Sequence, residues 1–178
     1  EGDGVIRFPA QKNREFQGAD IVNYRAYPNP FPEQSMINDY VMCLLEDEHQ
    51  NIWIGTWYGL SLIEAAEVAR PDQSNVVIRN FMHDPDNALS LSNNTIMSML
   101  EDREGNIFIG THAGINKLVK TSEGYIFEHD YLNEAGEWLT NRKVLDMCLD
   151  AGGDIWFSTQ DGGICLLDRE SGIYYEFN

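Results

Sequence analysis

The sequence predicts an all-β fold, a fragment of a β-propeller, and three observations carry that prediction. The chain repeats itself: Glu101 to Leu118, EDREGNIFIGTHAGINKL, has a counterpart upstream in Glu46 to Leu62, EDEHQNIWIGTWYGLSL, and another downstream in Leu149 to Leu166, LDAGGDIWFSTQDGGICL. Aligning Asp47, Asp102 and Asp150 brings Trp53, Phe108 and Trp156 into register, then Thr56, Thr111 and Thr159, then Gly59, Gly114 and Gly162, without a gap. The copies lie 55 and then 48 residues apart, the period of a propeller blade or a long solenoid unit. Finally, each unit reads as four short runs bounded by turn residues, with no sustained helical periodicity. Four strands per unit in tandem favour a propeller, whose blades are antiparallel sheets set around an axis.

Taken in order, the first residues, GDGVIRF (Gly2 to Phe8), resemble the GINKL and GGICLL segments that close the later motifs, so the chain is expected to start within a repeat. Asp20 to Tyr27 alternates apolar and polar residues and reads as the outer strand of that cut unit. Pro28, Pro30 and Pro32 then end it, since proline donates no backbone hydrogen bond. The first complete unit is expected to hold strands at Tyr40 to Glu46, Asn51 to Thr56, Leu60 to Glu64 and Val76 to His83. The second holds them at Thr95 to Glu101, Asn106 to Thr111, Ile115 to Lys120 and Tyr125 to Tyr131, and the third at Lys143 to Leu149, Asp154 to Thr159, Gly163 to Asp168 and Ile173 to Phe177. The boundaries drawn are 1–32 for the end of a cut blade, then blades at 33–87, 88–135 and 136–178.

Residue types suit this geometry. Val41, Ile96 and Val144 share one place on the first strand of each unit, and Leu44, Met99 and Met147 share another. A strand sandwiched between neighbouring blades needs apolar residues on both faces. Gly55, Gly110 and Ser158 keep one position small, and Trp53, Phe108 and Trp156 are expected to be large plates between adjacent sheets. In the first hairpin of each unit an aspartate can accept backbone N–H groups, while Gly105 and Gly153 supply the positive φ of a bulged turn. Gln50 holds that place in the first unit and is expected to be the least comfortable of the three.

Composition narrows the function. At 43% hydrophobic and 11% aromatic, the 178 residues can bury a sizeable core, and no apolar run approaches the length of a membrane span. No membrane contact is expected within this segment. A net charge of −17 repels a polyanion, so nucleic acid is not an expected partner. Cys43, Cys148 and Cys165 do not recur at one repeat position and read as small core residues rather than a disulfide framework.

The loops between the second and third strands are Trp57-Tyr58, His112-Ala113 and Gln160-Asp161. They differ in every copy while the flanking Thr and Gly are kept, which is the pattern of a recognition surface on a constant scaffold. Aromatic faces beside amide, imidazole and carboxylate groups suit a sugar. Trp57, Tyr58, His112, Gln160 and Asp161 are therefore the candidate ligand-binding residues, against the plainer reading that surface loops drift. His49, His83, His112 and His129 share no metal-ligand spacing, and neither Asp150 with Asp154 nor Asp84 with Asp86 completes a calcium loop, so no metal or other cofactor is expected. Asp47, Glu101 and Asp102 could be offered as a glycosidase pair. Their recurrence at a hairpin points instead to a structural role, and no catalytic residue is assigned.

At these residues the sequence resembles the two-component regulator propeller repeat, an apolar strand followed by E-D-x-x-G-N-I-W-I-G-T-x-x-G-G-L and an outer strand. The resemblance runs through Val41 to Ile63, Ile96 to Leu118 and Val144 to Leu167, and extends to the connecting segment FMHDPDNALSLSNNT, Phe81 to Thr95. It departs at Gln50, Phe108 and Ser158, and at the single Gly59 and Gly114 where the family often has a pair. The resemblance implies a ligand-sensing segment in the periplasmic part of a hybrid two-component sensor histidine kinase, of the kind typical of gut Bacteroidetes, which detect glycan breakdown products. Its implied partner is an oligosaccharide or other small ligand, the parent sensor is expected to be a homodimer, and the kinase lies outside this chain. The alternatives are a propeller lyase or glycosidase, or a protein-docking propeller. Two strands and three full units cannot close a ring, so the isolated segment is expected to self-associate through its exposed end faces, including an inner edge at Gly4 to Phe8. Two chains would together supply the strands of a seven-bladed ring.

Overall fold

The computed structural model describes residues 4–7, 22–26, 32–70, 75–129, 131–139, 142–160 and 162–177. Each predicted strand of the three complete units overlaps an observed one, while of the segments expected before them residues 2–3, 8, 20–21 and 27, with Pro28 and Pro30, lie outside the described residues. In chain order these are β1 (Val5–Arg7), β2 (Val22–Tyr24), β3 (Val41–Glu46), β4 (Ile52–Thr56), β5 (Gly59–Ile63), β6 (Arg79–Phe81), β7 (Ile96–Glu101), β8 (Ile107–Thr111), β9 (Gly114–Thr121) and β10 (Gly124–Glu128). They are followed by β11 (Leu132–Asn133), β12 (Val144–Leu149), β13 (Ile155–Thr159), β14 (Gly163–Leu167) and β15 (Ile173–Phe177). The strands form antiparallel meanders in the orders β3-β4-β5-β6, β7-β8-β9-β10 and β12-β13-β14-β15, and β1 pairs with β2. The fold is all-β, with the repeated antiparallel sheets of a propeller.

Three details differ from the sequence expectation. Ala65–Val68 forms a single helical turn where no helix was expected, because four residues are too few to show a 3.6-residue period. β6 is only three residues long and starts at Arg79 rather than Val76. Val76 and Ile78 are instead buried in the core ahead of it. β11 adds a short parallel edge strand to β15, pairing Leu132 with Ile173.

The sheets stack in sequence order, with a core in each gap. Tyr24, Met36, Ile54 and Ile63 fill the first, beneath the β1-β2 pair. Trp53, Leu60, Leu62, Ile96, Ile107 and Ile109 fill the second, and Leu100, Phe108, Ile115, Val144, Met147 and Phe157 the third. The small position on the second strand of each sheet has a direct cause in these gaps. A Cβ on Gly55 would lie 2.6 Å from Ile96 Cγ2, and one on Gly110 would lie 2.8 Å from Val144 Cγ1. Ile96 and Val144, which open the second and third of these sheets, thus seat on the glycine of the sheet before. Ser158 occupies the same place on β13, where no further sheet of the described residues covers it.

That open face corrects two expectations. Trp156 is not a plate between sheets: it is half-buried and stacks on Phe177 with ring centroids 5.3 Å apart. Cys148, beside it, is exposed rather than a core residue, whereas Cys165 is buried. At the opposite end Leu44 is 55% exposed, while its repeat counterpart Met147 is 9% exposed. Position 44 faces the side where the described residues provide only the β1-β2 pair.

Candidate functional site

The hairpins that join the first and second strands share one construction. Asp47 Oδ1 accepts the N–H groups of His49 (3.0 Å) and Asn51 (2.9 Å), and Oδ2 accepts Asn51 Nδ2 (2.8 Å) and the Trp53 indole Nε1 (2.9 Å). Asp150 repeats the scheme, accepting Gly153 and Asp154 N–H groups and the Trp156 indole at 3.1 Å. Asp102 accepts Glu104, Asn106 and Asn106 Nδ2 in the same way. Phe108 has no indole N–H to offer, and Arg169 from the next sheet donates to Asp102 Oδ2 instead. Burial pushes the Asp47 and Asp102 carboxyls up, but these hydrogen bonds outweigh it and hold both below the usual carboxylate range. Glu101 accepts the Glu48 N–H across the sheet gap at 2.9 Å. The acidic residues are thus engaged in shaping turns. Gln50 takes φ 66°, the one non-glycine residue with positive φ among those described, at the place held by Gly105 and Gly153.

At the other end of the same strands the tips are built from the repeated Thr and Gly. Thr56 Oγ1 donates to the Gly59 carbonyl (2.7 Å) and accepts the Tyr58 N–H (3.1 Å); Thr111 does the same with Gly114 and Ala113. In the third tip Thr159 pairs across the sheet with Gly163, which carries the positive φ, rather than with Gly162. This tip is one residue longer than the ungapped alignment implies. Each tip is then tied to the chain entering its sheet: Trp57 N–H donates to the Tyr40 carbonyl, His112 to Thr95 and Gln160 to Lys143, at 2.9, 3.2 and 3.0 Å. Gly59 N–H and Gly114 N–H reach on to Asn94 and Arg142 of the following sheets. Neighbouring tips are therefore locked side by side.

This arrangement brings Trp57 and His112 together, edge to face, with ring centroids 6.1 Å apart. Trp57 and Tyr58 are 53% and 54% exposed, so large aromatic surface faces solvent. Burial, and then the Lys143 charge, lowers the His112 imidazole below its ordinary pKa. At neutral pH it thus offers one donor and one acceptor. Gln160 is exposed on the third tip, and Asp161 lies outside the described residues. Two residues of this end were missed: Tyr40, 55% exposed, and Lys143. The signal was available, since Tyr40, Thr95 and Lys143 share one register place and differ in every copy.

Comparison with known proteins follows from this repeat. Residues 35–58 and 90–113 match the family model described as two component regulator propeller. Both matched stretches of the regulator propeller run from the segment entering a sheet to its tip, which covers the hairpin and half of the tip frame. Among solved structures, the chain is similar to the extracellular domain of the hybrid two component system BT4673 from B. thetaiotaomicron. The identity is 24% and the TM-score 0.60, covering 78% of this chain and 18% of that one. PorZ, a surface component of the type-IX secretion system of Porphyromonas gingivalis, aligns over 99% of this chain and 24% of its own at 13% identity and a TM-score of 0.66. A virginiamycin B lyase from Staphylococcus aureus aligns over 89% of this chain and 45% of its own at 20% identity and 0.55. At these identities the likeness is one of fold, and the chain spans under a fifth of the BT4673 domain. No curated protein matches the chain.

Proposed function

We propose that this chain is part of the extracytoplasmic, periplasmic ligand-sensing region of a hybrid two-component signalling protein, and that it recognises an oligosaccharide with its tips. The observation that carries the reading is the pairing of Trp57 with His112 on a frame whose Thr and Gly are constant while the tip residues change. A pyranose offers an apolar face to an aromatic ring and hydroxyls to mixed donors and acceptors. Tyr58 follows Trp57 in the tip, Tyr40 holds the Trp57 N–H through its carbonyl, and Lys143, whose charge reaches His112, holds the Gln160 N–H in the same way. The regulator propeller match supports a signalling context, with the histidine kinase outside this chain and a homodimeric parent. Residues 33–87, 88–135 and 136–178 serve as blades, with 1–32 the end of another.

The segment itself acts by binding, without catalysis, because Asp47, Asp102 and Asp150 are spent on turn N–H groups and partner side chains. Calorimetry of the chain with a panel of plant and host oligosaccharides tests the reading. At least one is expected to bind and to lose its heat in Trp57→Ala. Steady release of new reducing ends would replace it with the enzyme reading, and binding of a protein with no saccharide heat would replace it with a docking platform. In isolation the segment is proposed to self-associate through the exposed Leu44 end and the Trp156, Ile164 and Phe177 end. A clean monomer by light scattering at tens of micromolar would refute that.

A further inference from the structure

The hairpin end of the sheets holds a second feature that the tip reading does not use. Between the β7–β10 and β12–β15 sheets lies a cleft of about 510 Å³. The corresponding cleft one gap earlier measures about 250 Å³. The plate residue differs between the two. In the smaller cleft the Trp53 indole stands between the sheets and is pinned by Asp47. In the larger one Phe108 presents a shorter ring, and Arg169 bonds Asp102 in place of the missing indole. Space remains beside them, lined by Glu104, Lys117, Tyr131 and Asp154.

We propose that this cleft binds a neutral polyhydroxylated ligand, a saccharide of one or two rings. Its volume falls in the range of small-molecule sites, roughly 300 to 1,000 Å³. Its charges exclude the simpler ligands. An anion would meet the carboxylates of Glu104, Asp154, Asp168 and Glu170, and a metal ion would meet Lys117 and Arg169. A polyol needs acceptors and donors together. Lys117 is half-buried, and its ammonium makes no hydrogen bond or ion pair among the described residues, so it is available to a hydroxyl oxygen. Asp154 uses only Oδ1, for the Arg169 N–H at 3.4 Å, and leaves Oδ2 to accept. Tyr131 is pushed up to about 12 by burial and then by Glu128, so its hydroxyl stays protonated. The five residues of β8 separate this cleft from the tips by roughly 15 Å. It is a separate site, and the proposal stands or falls independently of Trp57.

The test is titration of the ¹⁵N-labelled chain, followed by amide shifts, with glucose, galactose, cellobiose and lactose, and with galacturonate and calcium chloride as controls. The expected result is that a neutral sugar moves the Asn106, Lys117 and Asp154 amides. Its affinity should fall roughly tenfold in Lys117→Met and in Asp154→Asn, and stay unchanged in Trp57→Ala. Phe108→Trp, which fills the cleft as Trp53 does, should abolish it. If that variant misfolds, the Lys117 and Asp154 variants still decide. The proposal is overturned if no neutral sugar moves these amides, if galacturonate or calcium moves them more strongly, or if Lys117→Met binds as the parent does.

Discussion

Replacing Trp53 separates packing from electrostatics in the repeated turn. The side chain is 1% exposed, meets Tyr125 edge-on at 5.3 Å and Phe81 at 6.1 Å, and donates its indole N–H to Asp47 at 2.9 Å. Trp53→Ala empties a site between two sheets and should cost about 3–5 kcal/mol, the usual range for a buried aromatic. Trp53→Phe keeps most of the ring and deletes the hydrogen bond to a carboxylate. Asp47 retains three other donors, so that change should cost only about 1–2 kcal/mol. Urea unfolding followed by far-ultraviolet circular dichroism, at one fixed protein concentration, measures both against Trp57→Ala, which should stay within about 0.5 kcal/mol of the parent. The pH dependence gives a second reading. Asp47 has a carboxyl held below its ordinary value in the folded state, so its contribution is full above the unfolded-state pKa and is lost as pH falls through the folded one. The deficit of Trp53→Phe should therefore shrink from neutral pH into the acid range. A Trp57→Ala deficit larger than that of Trp53→Ala, or a Trp53→Phe deficit independent of pH, would show the reasoning to be wrong.

Other outcomes follow from single positions. Gln50→Gly should stabilise the first hairpin by about 0.5–1 kcal/mol, since it relieves a left-handed non-glycine residue; an unchanged or lower melting temperature counts against it. Gly110→Ala places a Cβ 2.8 Å from both Val144 and Ser98 and should cost about 1–3 kcal/mol by overpacking, whereas Ser158→Ala should be nearly neutral. Denaturation midpoints compare the two. Thiol labelling at neutral pH should modify exposed Cys148 quickly. Cys43 and Cys165, pushed up to about 12 and about 11, chiefly by burial, should react only on unfolding, and equal rates for all three would contradict the packing.

What the sequence made legible was whatever each repeat states for itself. The hairpin aspartates, the positive φ at Gly105 and Gly153 and its strained substitute Gln50 are properties of one turn written three times, and alignment alone exposes them. The glycine at 55 and 110 was readable as a small position, but not the reason, because Ile96 and Val144 belong to the next copy. Contacts that cross between copies carry no local signature. Arg169 reaching Asp102 is the sharpest case, since Phe108 looked like a mild departure from tryptophan. It removes the indole N–H that the other two turns donate to their aspartate, leaving Asn106 Nδ2 as the turn's own side-chain donor, and an arginine from the following sheet takes the indole's place. That exchange leaves an ion pair and a widened cleft where the neighbouring gap is filled by an indole. The tips show the converse limit: their residues could be picked out because they vary, yet Trp57 meets His112 through ties that cross between copies, Gly59 N–H to Asn94 and Thr95 Oγ1 to the Trp57 carbonyl. A repeat protein thus advertises its scaffold in what recurs, and the sites that distinguish it lie where one copy departs and its neighbour compensates.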